Sequence, residues 1–255
     1  MTKTIALAGK GGTGKTTIAA LLIRSLLPHT KGPLLAIDAD PASNLHMALG
    51  MPMPTTVGAI REQTSKVASA GQLGVSMSRH DYLTREVFMA LEEGSQVDLI
   101  AMGRPEGPGC YCAINHLLRE IIDKLNRSYD FVVIDNEAGM EHLSRRTTRD
   151  VDLLLLITDP TIRGVHTAAG MAKLAKELEI NVQQMLLIVN RVQGELPPPL
   201  QEAIDELGMD VAALIPADEN VNQLDALGQP LIDLESDSPA FEAVEALTAR
   251  ILGSL

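Results

Sequence analysis

Apolar residues recur along the chain in short, nearly unbroken runs, at Thr4–Ala8, Leu34–Ile37, Val97–Met102, Phe131–Ile134, Leu153–Ile157, Met185–Val189 and Val211–Ile215. The runs are continuous rather than alternating, the pattern of strands covered on both faces. Segments of helical length lie between or after them: Thr17–Ile23, Ala113–Asn126, Thr167–Glu179, Pro199–Leu207 and Ala240–Leu252. The rhythm is β followed by α, repeated, and it predicts an α/β fold: a doubly wound, mostly parallel sheet flanked by helices, with ligands at the strand C-termini. Pro197-Pro198-Pro199 reads as the approach to a helix and not as a linker. Residues 51–95, with several Gly, Ser and Thr, read as an irregular surface insertion. No internal repeat appears, and 255 residues suffice for one large core, so 1–255 is expected to be a single domain.

Between the first strand and the first helix lies Gly9-Lys10-Gly11-Gly12-Thr13-Gly14-Lys15-Thr16-Thr17. Strand, glycine loop, helix is the context that makes such a pattern a phosphate-binding loop. Gly11, Gly12 and Gly14 let the backbone pass closely around an anion, so that successive N–H groups and the helix dipole point at phosphate oxygens. Lys15 is placed to reach the β and γ phosphates, and Thr16 to ligate Mg²⁺. Lys10 is not demanded by this pattern. A cation there cannot easily fold back onto phosphates held by its own loop, but it can reach the nucleotide of a facing subunit, as an arginine finger does.

The loop with its second lysine resembles the deviant Walker A motif of the MinD/ParA/nitrogenase iron protein class of dimeric ATPases. That resemblance implies an ATP-gated homodimer. Two aspartates end the second strand in Asp38-Ala39-Asp40-Pro41, where an acidic group can order Mg²⁺ waters or orient an attacking water. By the resemblance Asp40 positions the water and Asp38 stands nearer the metal shell. Phe131–Ile134 ends in Asp135, a Walker B arrangement for Mg²⁺, and the following turn, Asn136 to Arg145, reads as a switch that senses the γ-phosphate. Asn190-Arg191 and, after the next strand, Pro216 and Asp218 match the positions where this class contacts adenine. Asn190-Arg191-Val192-Gln193 is not the N-K-x-D reader of guanine, so ATP is expected over GTP.

Cys110 and Cys112, the cysteines of the chain, are two residues apart and can face one metal. Two thiolates fill half of a tetrahedral soft-metal shell, and a twofold axis supplies the other pair. Zn²⁺ fits such a dimer-interface site, and Ni²⁺ fits one that is more open or changes shape with nucleotide. His116 stands one helical turn on, either as a further ligand or as an ordinary packed or surface histidine.

Gly107-Pro108-Gly109-Cys110-Tyr111-Cys112, together with Asp135-Asn136-Glu137-Ala138-Gly139-Met140-Glu141-His142-Leu143, resembles the CooC-type ATPases that mature carbon monoxide dehydrogenase and acetyl-CoA synthase. The resemblance runs from the phosphate loop to Asn190. It implies an ATP-dependent factor that helps insert nickel into such a client enzyme. An iron–sulfur scaffold or carrier ATPase is a second reading, although its usual pair is C-x-x-C near the C-terminus. A nitrogenase-type reductase draws single cysteines from separated segments, unlike this chain. A positioning ATPase of the ParA/MinD kind is the third.

Charge bears on that last alternative. The net charge is −12, Lys and Arg are scattered, and there are no Trp and only three Phe and three Tyr. Nucleic acid is therefore not an expected partner, having neither a basic surface nor a stacking platform. The last helix carries an apolar stripe at Phe241, Val244, Leu247, Ile251 and Leu252, but Glu242 and Glu245 against Arg250 do not suit an anionic bilayer, so core packing is expected and no membrane partner. With no apolar run of spanning length, and a strand beginning almost at residue 1, the location is expected to be cytoplasmic.

Overall fold

The computed structural model describes residues 2–71, 78–104, 125, 128–139, 150–178 and 181–254. Its strands are β1 (Lys3–Gly9), β2 (Leu34–Ala39), β3 (Glu92–Glu93), β4 (Val97–Ala101), β5 (Phe131–Asn136), β6 (Asp150–Thr158), β7 (Asn181–Val192) and β8 (Val211–Pro216). They form one sheet in the order β3-β4-β2-β5-β1-β6-β7-β8. Every pairing is parallel except that of the short edge strand β3 with β4. The chain moves outward from β1 in one direction for β2 and β4, then returns to lay β5 and β6 on either side of β1. The crevice at the C-terminal end of β1 is thus where a ligand is expected in an open α/β sheet.

The helices are α1 (Lys15–Leu26), α2 (Leu45–Ala48), α3 (Val57–Ser69), α4 (Arg79–Met89), α5 (Ile162–Glu177), α6 (Pro198–Glu206), α7 (Glu219–Leu227) and α8 (Pro239–Ser254). Strand side chains alternate between two cores. Ile5, Leu7, Val133, Leu155 and Ile188 join a cluster under α1 and α8, whereas Ala6, Ala8, Ile134, Leu156 and Leu187 join one under α3, α5 and α6. Burial on both faces is why the apolar runs are continuous. The stripe of α8, from Phe241 through Val244 and Leu247 to Ile251, is buried in the first cluster. Arg24 of α1 lies 3.9 Å above the Phe241 ring and donates to the Leu234 carbonyl, which fixes α8 against α1.

The sequence-based boundaries need two corrections. The described residues of 51–95 are not irregular: they contain α3, α4 and β3. Thr56 caps α3 by accepting from the Ala59 N–H at 3.2 Å, and Ser78 caps α4 by accepting from the Asp81 N–H at 3.0 Å. The inward stripe of α3 is Val57, Ile60 and Thr64, and a threonine at its third position breaks the apolar signal. The capped helix α7 was also not anticipated. The expected helix at 113–126 lies outside the described residues, Leu125 excepted.

Leu155 pairs in register with Leu7 on one side and Leu186 on the other and is fully buried. Leu155→Ala is expected to cost about 2–5 kcal/mol of unfolding free energy. Urea denaturation checks this through a lower midpoint at unchanged slope, and a loss below about 1 kcal/mol would contradict the packing described.

Candidate active site

Gly9 ends β1 opposite Ile157 of β6, so closely that a side chain carbon at Gly9 would lie 2.3 Å from the Ile157 carbonyl oxygen. The loop then turns through Gly12 and Gly14, whose φ angles are +80° and +87°, a region that costs glycine little and other residues more. Gly14 begins α1 without any side-chain cap. The first-turn N–H groups of α1 are therefore left to an external anion, as at other phosphate-binding helix ends.

Protein carbonyls hold the loop in shape. The Lys10 carbonyl accepts from the Thr13 hydroxyl at 2.9 Å and from Lys15 Nζ at 3.3 Å. Asn190 Nδ2 donates to the Thr13 carbonyl, and an Arg191 guanidinium nitrogen donates to the Gly12 carbonyl, each at 2.9 Å. Arg191 does so from a left-handed conformation, φ +60°, which a bulky residue adopts only when its surroundings hold it there. The end of β7 thus straps the phosphate loop from the side. The Lys10 side chain, in contrast, is exposed.

Asp38 and Asp135 are register neighbours on β2 and β5. Both are 1 % exposed, and both alternate with residues of the α5-side core, so they face α1 and the loop. Asp135 Oδ2 accepts from the Thr16 hydroxyl at 2.5 Å, while Asp135 Oδ1 is buried with no hydrogen-bond partner. Burial pushes the Asp135 carboxyl up to about 6 against the pull of the Thr16 bond and the Lys15 charge. Burial likewise raises Asp38 to about 7, with the nearby Asp135 charge adding to it. Asp38 accepts from the Asp40 N–H at 3.0 Å through Oδ1 and from the Leu45 N–H at 2.9 Å through Oδ2. Its oxygens shape the loop from β2 to α2 directly. Burial also lowers Lys15, opposed by Asp135, Asp40 and Glu137.

A buried carboxylate oxygen with no donor, beside a threonine hydroxyl, is the donor chemistry of a hard cation site, and the pair Thr16 and Asp135 fits Mg²⁺. Asp40 lies in the wall of the adjoining cleft of about 460 Å³, together with Gly11, Lys15, Thr16 and Ala138. Its Oδ1 accepts from the Ala42 N–H at 2.8 Å. The start of the expected switch is also here: Gly139 N–H donates to the Gly9 carbonyl at 3.3 Å. The rest of that switch, residues 140–145, lies outside the described residues, as do Cys110, Cys112 and His116. Among the described residues no three His, Cys, Asp or Glu side chains gather as a metal-holding group.

A second cavity of about 190 Å³ continues from the first and contains Thr17, Asn190, Arg191, Pro216 and Asp218 in its wall. Asp218 also caps α7. Burial alone would raise its carboxyl, but bonds from Ser238 Oγ and from the Ala240 and Asn220 N–H groups outweigh this and hold it below the ordinary value. Asp225 and Arg191 border both cavities and so mark their junction. Asp225 escaped the sequence reading, as did Asn44 and Gln229 in the cleft wall. No motif flags them. The nearest signal is Gly228, the left-handed end of α7, which turns the chain back over the cleft.

Fold and cleft together define a P-loop nucleotide-binding protein. Residues 4–231 match the model of the CobQ/CobB/MinD/ParA nucleotide binding domain, and the chain belongs to that family. It is 42 % identical over 248 residues to an uncharacterized ATP-binding protein of Methanocaldococcus jannaschii, covering 97 % of this chain and 98 % of the relative. It is 32 % identical over 260 residues to the carbon monoxide dehydrogenase accessory protein CooC of Rhodospirillum rubrum, covering 97 % and 95 %. Among solved structures, the septum site-determining protein MinD of Pyrococcus horikoshii, complexed with Mg-ADP, superposes with a TM-score of 0.69 at 22 % identity over 98 % of this chain and 96 % of that one. The expected α/β sheet is the family's fold.

A carboxyl whose folded value is raised binds its proton more tightly in the native state, so its contribution to stability is present below about pH 4 and lost as pH rises through about 6. Asp135→Asn should therefore match the wild type in melting temperature near pH 4 and exceed it by a few degrees at pH 8, without nucleotide or Mg²⁺. A variant that is less stable at pH 8 would mean that the Asp135 charge is not penalised by its burial.

Proposed function

We propose that this chain is a Mg-ATP-dependent, dimer-forming ATP hydrolase that helps insert nickel into a carbon monoxide dehydrogenase or an acetyl-CoA synthase. The observation that carries the nickel reading is the 32 % identity to CooC across nearly the whole of both chains. The Cys110-Tyr111-Cys112 motif supports it, since thiolates two residues apart suit a soft metal shared across a twofold axis. Nickel, or zinc in its place, is the cargo of that site.

In this reading the loop N–H groups from Gly11 to Thr17 and the Lys15 ammonium bind the phosphates. Thr16 and Asp135 would hold Mg²⁺, which would supply charge neutralisation at the phosphates, and Asp38 sets the loop beside them. Asp40, in the cleft wall, orients the attacking water. The exposed Lys10 reaches the nucleotide of the facing subunit. Adenine lies in the cavity bordered by Asn190, Arg191, Pro216 and Asp218, and Asp225 at the junction faces the ribose. Loss of the γ-phosphate releases Asp40 and the Gly139 segment, and so alters the dithiol or the client-docking face. For that to occur the γ-phosphate must bind one dimer form better than the other. The protein acts in the cytoplasm; no helix among the described residues is long and apolar enough to cross a membrane.

A positioning ATPase is the competing reading, favoured by the 25 % identity over 252 residues to the septum site-determining protein MinD of Bacillus subtilis. The net charge of −12 and the burial of the α8 stripe count against it.

Lys10→Ala is expected to slow ATP hydrolysis by about 10³-fold and Asp40→Asn by about 10²-fold, each with ATP affinity nearly unchanged. Steady-state hydrolysis and calorimetric binding separate the two effects, and equal losses in both would mean a binding role only. Anaerobic titration with Ni²⁺ or Zn²⁺, with and without Mg-ATP, tests the cargo. One metal per two chains, lost in Cys110→Ala/Cys112→Ala, is expected. Metal binding indifferent to the cysteines would overturn the nickel reading and leave the ATPase standing. An iron–sulfur absorbance in anaerobically purified protein would favour the scaffold ATPase instead.

A further inference from the structure

On the face of the sheet opposite α1 and the phosphate loop, a groove of about 780 Å³ runs between α5, β7 and the turn from α6 to β8. Its floor is Val182, Met185, Leu207 and Met209, apolar side chains that pack against the α5-side core yet stay only partly covered. One wall is low. Ala169, Gly170 and Ala172 of α5 line it, and a side-chain carbon at Gly170 would meet nothing within 4 Å. A helix can therefore approach α5 closely, and the two methionines can adapt to its side chains.

The charges along the groove run against those of the chain. Lys173 and Lys176 are exposed on its α5 rim with His166 two to three turns earlier, in a protein of net charge −12. Lys173 has an exposed partner in Glu177 at 3.7 Å, a pairing worth little in water. The acidic residue lining the groove, Asp210, is paired with Arg250 at 2.7 Å. An occupant with an apolar face and an acidic flank complements this arrangement. A flat anionic bilayer does not, because the groove is concave and the chain as a whole carries a net charge of −12.

We propose that this groove docks an amphipathic helix of a partner protein, with its apolar face on Val182, Met185, Leu207 and Met209 and its acidic flank along Lys173 and Lys176. The proposal stands independently of the nucleotide and metal chemistry. The test uses the full chain and two labelled synthetic peptides of about 18 residues, or five helical turns. They share one leucine face and differ in carrying glutamate or lysine beside it. Fluorescence anisotropy should show the glutamate peptide binding about tenfold or more tightly than the lysine peptide, with an affinity that falls as salt rises. Lys173→Glu/Lys176→Glu and, separately, Gly170→Trp should each weaken it about tenfold or more while Mg-ATP affinity, the control for folding, is retained. Equal affinity for the two peptides, no binding of either, unchanged binding in both variants, or a preference for phosphatidylglycerol vesicles over the peptide would overturn the proposal.

Discussion

The site depends on two carboxylates, Asp38 and Asp135, buried side by side at the ends of β2 and β5, with the buried Lys15 ammonium near Asp135. Parallel pairing of neighbouring strands in register brings the acids together, and the alternation of strand side chains turns both toward α1. Left alone, such a cluster is costly, because burial disfavours each charge and the acids repel each other. Further positive charge near Asp135 Oδ1, the oxygen without a donor, stabilises the ionised form. In the proposed function, the same burial that destabilises the cluster favours a hard cation with a polyphosphate.

The rigidity of the phosphate loop comes from elsewhere. Gly9 is pressed against the Ile157 carbonyl of β6, and Asn190 and Arg191 at the end of β7 hold the Thr13 and Gly12 carbonyls. The N–H groups at the start of α1 thus remain directed outward. These contacts come from strands far apart in sequence, so the loop's geometry is a product of the sheet order and not of the glycines alone.

This division explains what could be read from the residues. The strands were legible because burial on both faces leaves continuous apolar runs. Their ends were not, since polar residues such as Asn181 continue the ladder beyond the runs. Helices α3 and α4 were missed because Thr64 interrupts one apolar stripe and because their capping signals, Thr56 and Ser78, are single residues amid many similar ones. That Lys15, Thr16 and Asp135 stand together was legible in their spacing and strand context. That Asn190 and Asp218 spend hydrogen bonds on protein partners, and that Asp225 borders both cavities, depends on how β7 and α7 pass over the cleft. Nothing local in the sequence encodes that path.

In the proposed function, Asp135, buried and with no donor to its Oδ1, makes nucleotide binding depend on a divalent cation. Calorimetric titration of ATP into the wild type and Asp135→Asn, each with and without Mg²⁺, tests it most directly. The account predicts that Mg²⁺ tightens ATP binding by about tenfold or more in the wild type and leaves the variant nearly unchanged. An equal gain from Mg²⁺ in both proteins would contradict it.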